Sequence, residues 1–218
     1  MSAYTTLPRY NILCFGDSNT FGTNPSGGRW GRYTRWPGRL QQLLGEDYYV
    51  VEEGFSGRTT VFNDPIVPFR CGRDALPYAL TCHRPLDLVI IMLGTNDMKH
   101  HFAAQPATIA RGAGELVKMV KSFDYGPLFK APQVLLISPI LVGENITESI
   151  YVDYGPEAPE NSLKMAACYE KVAKAHGCHF LDAAKVAKPS TIDQLHMDAE
   201  SHEALAQAVA KAIAEMNL

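Results

Sequence analysis

The chain lacks the marks of several large protein classes. No apolar run approaches the length needed to cross a bilayer, and Met1 to Arg9 carry no apolar core of signal-peptide length. The expected location is therefore the cytoplasm, with no membrane partner. Basic residues are not in excess: 20 Lys and Arg face 23 Asp and Glu, a formal net charge of -3, which argues against a nucleic-acid groove. There are five cysteines (Cys14, Cys71, Cys82, Cys168 and Cys178), an odd number without a CxxC pair, so free thiols are expected rather than a disulfide framework. Neither GxGxxG nor GxxxxGK[ST] occurs, which disfavours a nucleotide-binding module. Repeats, low-complexity linkers and blocks of like charge are missing too. No set of residues converges as metal ligands would; His100 and His101 are adjacent and point in different directions, so at most one could line a site. No metal and no cofactor are expected.

What remains is a chain of 218 residues, 46% of them hydrophobic, enough for one well-buried domain over residues 1–218. Short apolar runs alternate with helical patterns. Asn11 to Phe15, Tyr48 to Val51, Leu86 to Leu93, Val134 to Ser138 and His179 to Leu181 read as strands. The third is nearly continuous aliphatic, as a central parallel strand covered on both faces should be. Between them, helices are predicted from Pro37 to Gly45, from Ile109 to Val120, from a cap at Asn161 to Gly177, and from about Ala199 to Met216. Strands alternating with helices imply a parallel sheet with right-handed crossovers. In such sheets function gathers at the carboxyl ends of the strands.

Three strand ends and one late turn carry residues suited to chemistry. The first strand runs into Gly16-Asp17-Ser18-Asn19, placing Ser18 where backbone N–H groups are unpaired and face developing negative charge. Alone, Asp17 or Ser18 there would do no more than cap a helix. The second strand leads to Gly54-Phe55-Ser56-Gly57-Arg58, a turn whose backbone could approach a ligand closely. The third leads to Gly94-Thr95-Asn96-Asp97, where Asn96 can donate two N–H bonds and Asp97 more naturally holds the loop. The late turn is Asp193-Gln194-Leu195-His196, in which a carboxylate can hold one ring nitrogen of the histidine and leave the other as a base. A serine hydroxyl is a poor nucleophile by itself. It needs a base, an orienter for the base, and donors for an oxyanion, and these segments supply all three on one edge of the sheet.

In order along the chain, Gly16-Asp17-Ser18, Gly57, Gly94-Thr95-Asn96-Asp97 and Asp193-x-x-His196 resemble the four blocks of the SGNH, or GDSL-type, hydrolases. The stretches Ile12 to Ser18, Glu52 to Gly54, Arg58 to Thr60 and Leu86 to Asp97 are most similar to the arylesterase/acyltransferase, perhydrolase-like subgroup. The resemblance implies a flavodoxin-like three-layer α/β/α fold on a five-stranded parallel sheet. It also implies a small ester substrate, with Ser18 as nucleophile, His196 as base and Asp193 as its orienter. The oxyanion donors would be the N–H groups of Ser18 and Gly57 and the side chain of Asn96. Members of this subgroup form oligomers, so a homo-oligomer is expected. Acetyl-type esters are the expected substrates, with transfer to an alcohol or peroxide as a variant and a carbohydrate O-deacetylase as the alternative. Asn19 stands where the motif has leucine. Asp17, Asn19, Trp36, Phe55 and Thr95 are the further candidates for substrate contact. The stretch Leu141 to Pro159, with Tyr151 and Tyr154, is a candidate lid or oligomer contact. His202 is a rival base only if the last helix starts late. His83, His176 and His179 have no carboxylate at useful spacing, which leaves them surface or packing roles.

Overall fold

A computed structural model describes residues 8–216 and 218; residues 1–7, part of the terminus read above as lacking a signal sequence, lie outside them. Five strands, β1 (Tyr10–Gly16), β2 (Tyr48–Gly54), β3 (Leu88–Met92), β4 (Gln133–Ser138) and β5 (His179–Asp182), form one all-parallel sheet in the order β2-β1-β3-β4-β5. This is the flavodoxin-like order, as expected. Six helices connect and cover them: α1 (Ser18–Phe21), α2 (Trp36–Leu44), α3 (Gly72–His83), α4 (Pro106–Ser122), α5 (Glu157–His176) and α6 (Ala199–Ala214).

All five residues of β3 are buried, because apolar side chains pack from both faces of the sheet. One face holds Leu13, Phe15, Val89, Ile91 and Leu136 against the inner stripes of α3, α4 and α5. The other holds Ile12, Cys14, Leu88, Ile90 and Leu135 against α2 and α6. Each such aliphatic side chain contributes about 1.5–3 kcal/mol by leaving water, so the alternation along β1 and β3 locks the register.

Four helices differ from the sequence expectations: α4 begins at Pro106 instead of Ile109, and α1, α3 and α5 also depart from them. The third predicted helix begins at Glu157, with Pro156 at the N-cap position and no side-chain cap bond, and Asn161 lies inside it; Glu157 and Glu160 place negative charge in its first turn. Helix α3 has no counterpart among the predicted helices. Pro77 sits within it, and its buried residues Leu76, Ala79 and Leu80 are too few to give a conspicuous stripe. Helix α5 ends as expected at Gly177, which is in the left-handed conformation.

The register decides where the loops emerge. Gly16 pairs with Gly54 on one side and Met92 on the other, so β1, β2 and β3 end level with one another. The segments after Gly16, Gly54 and Met92 are thereby delivered to the same edge. A Cβ on Gly16 would stand 2.8 Å from the Met92 carbonyl oxygen and closer still to the Thr20 hydroxyl, so this turn has room only for glycine.

Candidate active site

Ser18 opens α1, and Asp17 caps it by accepting from the Asn19 N–H at 2.9 Å. The Oγ of Ser18 lies 2.8 Å from His196 Nε2. Nδ1 of the same ring lies 2.7 Å from Asp193 Oδ2. The other carboxylate oxygen, Oδ1, accepts from the Leu195 and His196 N–H groups at 3.0 and 2.9 Å. Serine, imidazole and carboxylate thus form one continuous hydrogen-bonded line, and each is at most 6% exposed. Burial raises the Asp193 pKa, but the ring and two backbone donors outweigh it and hold the carboxyl below its usual range.

The turn that presents His196 is tight. Gln194 adopts φ +64, the Ser190 N–H donates to the His196 carbonyl at 2.7 Å, and Gly143 N–H donates to the Gln194 carbonyl at 2.8 Å. Asn19 joins this turn to α1. Its Nδ2 donates to the Leu195 carbonyl at 3.2 Å, and its Oδ1 accepts from the Met197 N–H at 3.0 Å.

On the opposite side of Ser18, Gly57 holds φ +80 at the apex of the loop after β2. Neither its N–H nor that of Ser18 donates to an acceptor among the described residues. Asn96 begins a short 3-10 turn over Asn96–Met98. One hydrogen of its Nδ2 goes to the Arg58 carbonyl at 3.1 Å, and its Oδ1 accepts from the Tyr154 hydroxyl at 3.3 Å. These two bonds fix which end of the carboxamide is nitrogen, and they leave its second hydrogen for the cleft.

Beneath the cleft lie two buried carboxyls. Asp97 accepts from both the N–H and the hydroxyl of Thr60, tying the loop after β3 to that after β2. Burial pushes its pKa up to about 7, and pushes that of Asp17 up to about 6. Arg58 lies beside them, donating to the Gly16 carbonyl at 3.0 Å; burial lowers its pKa to about 10.

A cleft of about 280 Å³ opens over this array, lined by Ser18, Gly57, Asn96 and His196 together with Thr23, Ser56, Lys99, Tyr151, Asp153, Tyr154 and Leu195. The five further candidates for substrate contact do not line it. Trp36 is fully buried in the core between the sheet, α2 and α6, because it faces inward from the first turn of α2. Phe55 lies outside the cleft, with the guanidinium groups of Arg58 and Arg70 5.4 and 4.5 Å from its ring centre. Asp17, Asn19 and Thr95 are buried, and the side chains of Asp17 and Asn19 bond to backbone of the loops. The contacts that sequence reasoning passed over are Thr23, Ser56, Lys99 and Asp153. Nearness to the motifs was their only signal, and it does not say which way a side chain points.

The histidines sort clearly. His202 is fully buried, and its Nδ1 accepts from the Trp36 N–H at 3.2 Å. Burial drives its pKa down to about 3, so it stays neutral and away from the cleft. His100 pairs with Glu157 at 2.7 Å and His101 faces Asp64 at 3.6 Å; neither lines the cleft. His83 does have a carboxylate partner, Glu53 at 2.8 Å, brought close by the fold although distant in sequence. Among the described residues no three His, Cys, Asp or Glu side chains converge as a metal site would require, and no helix is long and apolar enough to cross a membrane.

A nucleophile-type serine, an oriented imidazole and convergent N–H donors at the carboxyl edge of an α/β/α sheet define the serine hydrolase class. Residues 14–204 match the GDSL-like lipase/acylhydrolase family, and the chain belongs to it. It is an enzyme that hydrolyses ester bonds. No curated protein matches the chain. Among solved structures, it is similar to the aryl esterase of M. smegmatis, with 36% identity over 94% of this chain and 99% of that one and a TM-score of 0.88. It is equally similar to Est24, a carbohydrate acetylesterase from Sinorhizobium meliloti, with 36% identity over 94% and 99% of the two chains and a TM-score of 0.88. A carbohydrate acetylesterase family member from the same organism is 32% identical over 94% and 98%, with a TM-score of 0.88.

Proposed function

We propose that the protein hydrolyses small carboxylic esters, acetyl esters foremost, through an acyl-enzyme on Ser18. The observation that carries this reading is the unbroken line from Ser18 Oγ through His196 to Asp193, at 2.8 and 2.7 Å. His196 Nε2 takes the hydroxyl proton as Oγ attacks the ester carbonyl carbon. The carbonyl oxygen becomes an oxyanion facing the N–H groups of Ser18 and Gly57 and the free hydrogen of Asn96 Nδ2. The imidazolium then gives its proton to the departing alkoxide, the alcohol leaves, and the acyl group remains on Oγ. Water, deprotonated by the same nitrogen, attacks the acyl carbon and releases the acid. An alcohol or a peroxide can take the place of water, which would make the product an ester or a peracid.

Size supports the short acyl chain: a cleft of about 280 Å³ crossed by Tyr151 and Tyr154 leaves little room for a long one. The aryl esterase of M. smegmatis is one relative with this architecture. A second reading, removal of acetyl groups from carbohydrates, is favoured by the polar side of the cleft. There Thr23, Ser56, Lys99 and Asp153 offer hydroxyl, ammonium and carboxylate groups to a polyol, and Est24 is a relative of that kind.

Fluorophosphonate labelling with mass mapping tests the mechanism. The label is expected on Ser18, and Ser18→Ala is expected to lose it together with at least about 10⁴-fold of p-nitrophenyl acetate hydrolysis. Full activity in that variant would refute the reading. A chain-length series of p-nitrophenyl esters, run beside acetylated sugars, separates the two substrate classes.

A further inference from the structure

Between β4 and α5 the chain crosses the cleft as a strap with no strand or α-helix of its own. It is nonetheless firmly held. Ile140, Val142, Ile146 and Tyr154 are buried along it, the Tyr151 N–H donates to Ser149 Oγ at 3.1 Å, and the Ser149 hydroxyl donates to the Ile146 carbonyl at 2.7 Å. Farther along, the Asp153 carbonyl accepts from the His100 N–H at 2.8 Å, and its carboxylate lies 3.4 Å from Lys99 Nζ. Along this strap Ile150 and Val152 face solvent, 81% and 86% exposed, while Tyr151 between them turns inward. Its ring meets that of His196 edge-on, with centres 5.2 Å apart and planes at 66°. Its hydroxyl oxygen lies 3.2 Å from His196 Nδ1.

The tautomer decides what that contact is. An imidazole that takes the Ser18 proton at Nε2 must carry its own proton at Nδ1. Nδ1 is then a donor, and the tyrosine oxygen meets it as an acceptor. The stronger acceptor is Asp193 Oδ2 at 2.7 Å; the tyrosine oxygen makes the second, longer arm of a three-centre bond. Burial and the neighbouring Asp193 charge both raise the Tyr151 pKa, so the phenol stays neutral and keeps its proton.

We propose that Tyr151 is a positioning residue for the proposed base: its hydroxyl is a second acceptor for the His196 Nδ1–H and holds the ring towards Ser18. The inference rests on the reading of Ser18 and His196 given above. Two effects follow. A tilt of the ring changes both arms at once, so two acceptors restrict its orientation more than one. As Nε2 gains its proton the Nδ1–H becomes a stronger donor, so the tyrosine arm strengthens on the way to the imidazolium. The groups facing His196 from the elements around it are Asp193 on its own turn, Tyr151 on the strap, Asp17 on the turn after β1 and His202 on α6, with Lys99 and Asp153 farther along the cleft. Of these, only the tyrosine contact is altered by exchanging its hydroxyl for hydrogen.

Tyr151→Phe keeps the ring and removes the arm. With p-nitrophenyl acetate, kcat is expected to fall about fivefold to tenfold with KM unchanged. The acid limb of the kcat/KM–pH profile should move to lower pH, because the imidazolium has lost a partner. Fluorophosphonate labelling of Ser18 should slow by a similar factor. A variant within twofold of the parent with an unmoved acid limb would overturn the proposal, and so would a loss of activity confined to KM. Should Ser18 take no label in the parent protein, the reading beneath fails as well; normal labelling with an indifferent Tyr151→Phe sinks this inference alone.

Discussion

The Asn19 side chain grips the backbone on both sides of His196, accepting from the Met197 N–H at 3.0 Å and donating to the Leu195 carbonyl at 3.2 Å. The residue after Ser18 thus fixes the turn that carries the imidazole, across more than 170 positions of sequence. Leucine, the residue of the motif's name, could make neither bond.

Asn19→Leu leaves two buried backbone groups without partners, each costing about 1–3 kcal/mol. A loss of about 2–4 kcal/mol of stability is expected by urea unfolding. Because the Oγ–Nε2 distance is then less constrained, kcat should also drop, by roughly 10–100-fold, with KM little changed. A variant with the parent's kcat would show that the clamp serves stability alone.

Asn96→Ala removes the only side-chain donor among the proposed oxyanion groups. A fall in kcat of roughly 10²–10³ is expected, with a much smaller change in KM. Equal losses on p-nitrophenyl acetate and on an acetylated sugar would fit an oxyanion role; a loss on one substrate only would point instead to a leaving-group contact.

Asp193→Asn keeps the shape of the turn but can present an amide hydrogen to Nδ1, favouring the wrong tautomer. A drop of about 10⁴ in kcat is expected. The native carboxyl is held below its usual pKa, so its stabilising contribution is present above the unfolded pKa and lost as pH falls through the folded one. The variant should therefore lose less stability than the parent on acidification, which thermal melts from pH 6 down to pH 3 would reveal.

Asp97 titrates in the other sense. Its folded pKa, pushed to about 7 by burial, lies above the 3.8 of a free carboxyl. The folded protein holds a proton there that the unfolded chain has released, so this group's contribution to stability declines as pH rises between the two values. Asp97→Asn has nothing to ionise, although it weakens the bonds to Thr60. Its stability relative to the parent should improve from pH 4.5 to pH 7.5. Parallel urea midpoints across that range would count against the raised value.

Much of the architecture was legible because it depends on local pattern. The nearly continuous aliphatic run Leu86 to Leu93 reads as a strand buried on both faces, and Leu88–Met92 within it is the centre of the sheet. The four blocks carrying Ser18, Gly57, Asn96 and Asp193 with His196 do converge on one cleft, with Asp193 beside it as the partner of His196. Side-chain direction was not legible. Trp36 was expected near a substrate and lies in the core, since the helical phase of α2 turns it towards α6. Helix α3, without a strong stripe and with a proline inside, gave no readable period.

The alternation of strands and helices, and with it the edge on which the reactive groups meet, can be read from the chain, because apolar periodicity and glycine turns act over a few residues. Which neighbours close the site depends on the folded packing. The strap bearing Tyr151 has no periodicity to read, and the grip of Asn19 on the His196 turn joins segments at opposite ends of the chain. Such contacts are set by the packing of the whole sheet, where a side chain's reach and direction matter more than its place in the sequence.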